Sequence, residues 1–304
     1  MFAVLFDRFG GPEVLQMGTA ETPAPGPGQI RVRVRAAGVS PVDAGLRAGG
    51  TPMSARLALP HIPGVDAAGT VDAAGAGVTG VAVGDEVFGS VDVARLGGAS
   101  AEFAVLQLWA PKPAGMPWEQ AGAAGTSVET ATRALDRLDP APGTTLLIDG
   151  AAGGVGSVAV QLAVARGVRV LGTARPENHG FLAGLGATPI TYGPGLANRV
   201  AGVDRALDVA GAGSLRELVA LTGDPAAVLT LSDFTAAEHG VRLSMGRLAG
   251  EPDGGHGLHA AAGLFTEGRF RVPVEASCPL PKAADAHTAI ERGSRRGKIV
   301  LTVD

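Results

Sequence analysis

The stretch "GAAGGVG" follows the apolar run from Leu146 to Asp149 and precedes a helical pattern from Ser157 to Arg166. Glycines at 150, 153, 154 and 156 in that setting suit phosphate binding. In the G-x-G-x-x-G arrangement the first glycine makes the turn, the second lets a pyrophosphate approach, and the third lets helix pack on strand. Here Ala151 stands in the first place, with Gly153 and Gly156 in the others. A helix N-terminus offers free N–H groups and a partial positive charge to an anion. Strand, turn and helix stand in the required order, so the stretch is read as a dinucleotide site. The next strand selects the dinucleotide. An NAD site places an acid at its end, bonded to the ribose 2′-hydroxyl. "VRVLGTAR" ends instead in Thr173, Ala174 and Arg175, with no acid before Glu177. A carboxylate there would repel a 2′-phosphate and an arginine would clamp it, so the cofactor expected is NADPH. The alternative is a solvated surface arginine.

These residues need a scaffold, and the chain changes character along its length. "QIRVRVRAAGV" alternates, with Ile30, Val32 and Val34 on one face and Arg31, Arg33 and Arg35 on the other, which predicts a half-buried strand. Short strands joined by glycine turns follow from Ala68 to Gly89, then "AEFAVLQ", suggesting a compact β barrel or sandwich. From Pro117 to Leu138 the pattern is helical. Apolar strands then alternate with helices, which implies an α/β unit with a parallel sheet covered on both faces. "GHGLHAAAGLFTEGRF" reads as the last helix of that unit. "RVPVEASCPL" and "GKIVLTVD" return to strand character, so the C-terminus is expected to rejoin the first unit.

The 304 residues carry 46% hydrophobic and 18% charged side chains, which argues against disorder. A net charge of −4 leaves no basic face for nucleic acid. The N-terminus lacks the long apolar core of a signal peptide, and no apolar run approaches a membrane span. A cytoplasmic protein without membrane partners is expected. The one cysteine, Cys278, excludes an intramolecular disulfide and is read as a core thiol.

Three stretches, "AAGVSPVDAGLRAG", "LPHIPGVDAAGTV" with "GDEVFG", and the glycine stretch through "LGATPITYG", together with the closing "RRGKIVLTV", resemble the medium-chain dehydrogenase/reductase family, in its zinc-independent quinone oxidoreductase branch. The resemblance implies a GroES-like β barrel domain at 1–117 and 271–304 and a Rossmann doubly wound parallel-sheet domain at 118–270. It implies a cofactor in the cleft between them, and a homodimer. Carried over residue by residue, it places Ala152, Gly153, Gly154, Val155 and Gly156 at the pyrophosphate, Thr130 near the nicotinamide half, and Arg175 and Tyr192 near the adenosine 2′-phosphate. The alternatives are an ordinary helix residue for Thr130 and a half-buried strand aromatic for Tyr192. The zinc-dependent branch uses a cysteine and a Gly-His-Glu. Here Ser40 holds the cysteine position and Gly64, Val65 and Asp66 replace the second motif, so no metal is expected.

Without zinc the resemblance implies reduction of a quinone or an α,β-unsaturated carbonyl, with protein groups orienting the acceptor and stabilising oxyanion charge. Many relatives have asparagine where Ser40 stands, followed by tyrosines. Neither occurs here, so Ser40 is the candidate hydrogen-bond donor to substrate. Asp43 is read as a structural hydrogen-bonding residue. The small residues from Ala48 to Pro60 are expected to line a roomy, apolar substrate mouth. Two other readings stand beside this one: an enoyl reductase on a polyketide-like intermediate, and a catalytically silent NADPH-binding protein.

Overall fold

The computed structural model describes residues 1–293 and 296–304. Arg295, the first residue of "RRGKIVLTV", lies outside the described residues. In chain order the elements are β1 (Phe2–Leu5), β2 (Gln16–Thr19), β3 (Ile30–Val39), α1 (Pro41–Ala48), β4 (Asp66–Ala74), β5 (Glu86–Val91), β6 (Phe103–Pro111), α2 (Trp118–Gly122) and α3 (Gly125–Leu138). Then come β7 (Thr145–Asp149), α4 (Gly154–Ala165), β8 (Arg169–Ala174), α5 (His179–Ala183), β9 (Thr188–Thr191), β10 (Arg205–Asp208), α6 (Leu215–Thr222), β11 (Val228–Thr230), β12 (Arg242–Leu243), α7 (His256–Thr266), β13 (Val274–Pro279), α8 (Ala283–Glu291) and β14 (Lys298–Thr302). None of the described helices is long and apolar enough to cross a membrane.

One sheet runs β13-β14-β3-β4-β5-β6, and β3 also pairs with β6, so β3 to β6 close on themselves. The alternation in β3 is the cause. Ile30, Val32 and Val34 are buried inside, while Arg33 and Arg35 are exposed. Register shifts in β3–β4 and β5–β6 supply the bends that closure needs. β14 pairs antiparallel with β3, Ile299 opposite Val39, so the last strand returns to the first sheet.

The second sheet is fully parallel, in the order β9-β8-β7-β10-β11-β12. Its first three strands run outward one way and the next three the other. The order reverses between β7 and β10, where two crossovers diverge and a crevice opens at the carboxyl ends of the strands. β7 is buried along its whole length, because helices cover both faces.

The helical pattern from Pro117 to Leu138 is two helices, since the chain breaks at Ala123 and Ala124. α4 begins at Gly154, earlier than the Ser157 that periodicity suggests, so Gly154 and Gly156 belong to its first turn. Gly150 makes the turn itself, at φ 82°. At Gly156 an added Cβ would lie 2.3 Å from the Gly150 carbonyl oxygen and 2.8 Å from Ala151 Cα. Both neighbours are backbone and cannot step aside. Gly156→Ala is therefore expected to destabilise the protein by about 1–3 kcal/mol or more, read as a lower midpoint in urea unfolding. An unchanged midpoint would contradict the close approach.

Candidate functional site

A cavity of about 830 Å³ opens at the carboxyl ends of β7, β8, β10 and β11 and reaches the start of α1. It lies at the reversal of strand order. Its walls bring together Ser40, Thr130, Ala152, Gly153, Gly154, Val155, Thr173, Ala174, Arg175 and Tyr192. These are the site residues expected from the sequence, with one exception. Gly156 does not line the cavity. It sits behind the turn and lets α4 approach the backbone of Gly150 and Ala151.

The turn at one end is held by buried polar groups. Thr173 Oγ1 donates to Asp149 Oδ1 and accepts the Gly150 N–H at 3.0 Å. Asp149 Oδ2 accepts from Ser214 Oγ at 2.6 Å. The Thr173 hydroxyl is thus committed to the turn. Gly153 leaves open space: the nearest atom to an added Cβ there is the Gly150 oxygen, at 3.5 Å. Ser127 lines the same cavity, and its buried hydroxyl has no protein partner. An open glycine face at a helix N-terminus and an orphaned hydroxyl fit a bound dinucleotide. At the rim, Arg175 Nε donates to Tyr192 Oη at 3.1 Å. Tyr192 is half exposed, at 47%, and lies just past the end of β9 rather than within the strand. Thr130, on α3, donates to Glu129 at 2.9 Å.

The wall beside the turn is charged. Lys298 Nζ donates to Ser40 Oγ at 2.6 Å and to Asp66 Oδ2 at 2.8 Å. All three residues are buried, at 6%, 7% and 0% exposure. Asp66 Oδ1 also accepts the Thr126 N–H at the start of α3. Asp43, fully buried, accepts the N–H of Ser40 at 2.8 Å and of Gly64 at 3.2 Å. Burial pushes its carboxyl up to about 7, and the nearby Asp66 charge adds to the rise. The two N–H groups and Lys298 oppose it.

Sequence reasoning passed over Lys298 and treated Asp66 only as part of a lost zinc motif. A signal existed in both cases. Each is a lone charge inside an apolar strand segment, "GKIVLTV" and "GVDAAGTV", and such charges are buried only when paired. Two other expectations fail. None of the residues from Ala48 to Pro60 lines the cavity, whose wall on that side is Val39 to Val42. Cys278 is half-buried on β13 rather than a core thiol. As a metal site the donor set does not fit. Ser40 Oγ accepts from an ammonium, Val65 has no donor, and Asp66 is already paired. Among the described residues no three His, Cys, Asp or Glu side chains are grouped to hold an ion.

The chain matches the alcohol dehydrogenase GroES-like domain over residues 26–109 and the zinc-binding dehydrogenase family over residues 185–301. Quinone oxidoreductase of Rattus norvegicus is 40% identical over 181 residues, covering 58% of this chain and 54% of the relative. The chain thus spans about half the length of the curated relatives it matches. The structure of quinone oxidoreductase from Coxiella burnetii superposes with a TM-score of 0.88 at 30% identity, covering 100% of this chain and 99% of that one. A mycobacterial protein solved in complex with NADPH superposes with a TM-score of 0.81 at 28% identity, covering 99% of each chain. The chain belongs to the medium-chain dehydrogenase/reductase family.

Asp43 makes the pH dependence of stability testable. Its carboxyl titrates near 7 in the folded chain, against about 3.9 in an unfolded one. Between those values the folded state holds the extra proton, so this group's contribution to stability falls as pH rises. The slope is about 1.4 kcal/mol per pH unit at most. Urea unfolding between pH 4.5 and 7 should show that downward component in the wild type and not in Asp43→Asn. Parallel profiles for the two proteins would refute the shift.

Proposed function

We propose that this medium-chain dehydrogenase/reductase is a metal-independent reductase that takes hydride from NADPH and passes it to a quinone or an α,β-unsaturated carbonyl. One observation carries the reading: a single cavity joins a phosphate-type glycine turn to a buried, cationic hydrogen-bonding pair. The relatives named quinone oxidoreductase support the acceptor class, and the neighbour solved with NADPH supports the cofactor.

In this reading the backbone at Ala152 to Val155 takes the pyrophosphate at the N-terminus of α4. The Arg175–Tyr192 pair takes the 2′-phosphate. The bond to Tyr192 uses Nε, and the two terminal nitrogens present the fork that grips an anion. Thr130 flanks the nicotinamide. The cofactor, when bound, supplies a hydride. Ser40 meets the acceptor oxygen: its Oγ already accepts from Lys298, so its own O–H is free to donate. Residues 1–117 and 271–304 form the acceptor side of the cleft and 118–270 the nucleotide side.

NADPH oxidation in the presence of para- and ortho-quinones and 2-enones tests the reading. Turnover with at least one class is expected. Tight NADPH binding with no turnover on any acceptor would make the chain a silent binding protein instead. Cofactor choice has its own test. Arg175→Ala should weaken NADPH binding by about 1.5–3 kcal/mol while changing NADH binding little, so the preference falls about ten-fold or more. Equal losses for both cofactors would remove the argument for the 2′-phosphate.

A further inference from the structure

We propose that Lys298 is the proton source of the reduction, delivering its proton through the Ser40 hydroxyl. The inference rests on the reductase reading above and names the acid which that reading lacks.

Three observations place Lys298. Its stem packs against the nucleotide turn, since a Cβ at Gly154 would lie 2.6 Å from Lys298 Cδ. The preceding residue is bonded to the same turn, Gly297 N–H donating to the Ala152 carbonyl at 2.9 Å. Its ammonium ends in the cavity wall, 2.6 Å from Ser40 Oγ. Lys298 therefore stands between the cofactor cradle and the residue proposed to meet the substrate oxygen.

The polarity of the chain is fixed by chemistry. An ammonium has three donors and no acceptor. Ser40 Oγ must accept from it, so the serine proton points onward to whatever sits in the cavity. Asp43 accepts the Ser40 backbone N–H and holds the residue in place, and Asp66 balances the charge of Lys298. Stability does not explain such a pair, because apolar replacements of buried ion pairs are often neutral or stabilising.

The step balances as follows. Hydride arriving at the β-carbon of an enone forms a C–H bond, the C=C pair shifts to join the α-carbon to the carbonyl carbon, and the C=O π pair moves onto the oxygen. That oxygen takes the Ser40 proton, and Ser40 Oγ takes one from Lys298, leaving a neutral amine. Water at the cavity mouth returns a proton to the amine, and the enol tautomerises to the saturated ketone. Ser40 touches the substrate, and Lys298 is the positioning residue behind it.

The test uses the full chain loaded with NADP⁺ and 4-nitrophenol, whose phenolate absorbance reports an oxyanion in the site without any turnover. In the wild type the bound phenol should ionise at least one pH unit below the free compound. Ser40→Ala and Lys298→Met should each abolish that shift. Turnover of 2-cyclohexenone should fall about 100-fold or more in each, with NADP⁺ affinity within about three-fold. The double variant should be no worse than the poorer single, as for groups that act as a unit. Lys298→Arg keeps the charge but cannot release a proton at neutral pH, so it should restore the phenolate shift and not the turnover. Ser40→Ala leaves the Lys298–Asp66 pair intact and carries the test if Lys298→Met does not fold. Full rescue by arginine, or variants that keep turnover within three-fold, would overturn the inference alone. A wild type that reduces no acceptor overturns the reductase reading and the inference with it.

Discussion

The Lys298 ammonium is a charge taken out of water, and much of the molecule is arranged around it. Desolvating such an ion costs several kcal/mol unless good partners meet it. Here they come from separate parts of the chain. Asp66 opens β4, Ser40 precedes α1, and Lys298 opens β14. Asp66 also takes the Thr126 N–H of α3, which packs on the parallel sheet. One buried cation thus joins the closed sheet, the C-terminal strand and the first long helix of the nucleotide unit. Moving any of these elements by an ångström would leave a buried charge unmet. This rigidity keeps the Ser40 hydroxyl beside the glycine turn in one cavity, with the Lys298 side chain between them.

The nucleotide end is built on a different principle. Parallel strands end with their side chains converging on a common edge, and here those ends carry acids. Asp149 closes β7 and Asp208 closes β10. Each is buried and takes a threonine hydroxyl from the neighbouring strand, Thr173 for Asp149 and Thr230 for Asp208. Burial raises the Asp208 carboxyl, and its hydrogen bonds counter that. Asp208 also accepts the Gly211 N–H, as Thr173 accepts that of Gly150. Both turns at the reversal point are fixed by the same device, so the backbone around the crevice is preorganised before any ligand enters.

The parts legible in the sequence are those that repeat a local rule. The alternation in β3 and the glycine spacing after β7 depend on near neighbours, and both appear at the residues where periodicity places them. The same holds for Thr173, Ala174 and Arg175, because a strand end is a local event. What escaped notice depends on distant pairing. Ser40 and Lys298 are 258 positions apart, and nothing in "GVSP" announces a lysine partner. The start of α4 is not legible because glycine lowers helix propensity, whereas Lys298 beside Gly154 and the turn backbone beside Gly156 leave no room for a side chain. The segment from Ala48 to Pro60 misled for the opposite reason. Small apolar residues in sequence say nothing about which wall they face.

Scarcity of aromatic side chains sharpens the chemistry of this cavity. The single tyrosine, Tyr192, is bonded to Arg175 at the nucleotide rim, far along the chain from Ser40 and joined to a different partner. Among the described residues that line the cavity there is no histidine, and Lys298 is the one lysine. The carboxyls in the same wall already accept hydrogen bonds, Asp149 from two hydroxyls and Glu217 from the Gly195 N–H. The Lys298 ammonium instead donates to a serine hydroxyl, and a proton leaving through that serine is replaced along the hydrogen bond already formed. In the proposed reduction, electrophilic assistance therefore does not depend on a tyrosine beside Ser40, and the task falls to Lys298, which enters from the last strand.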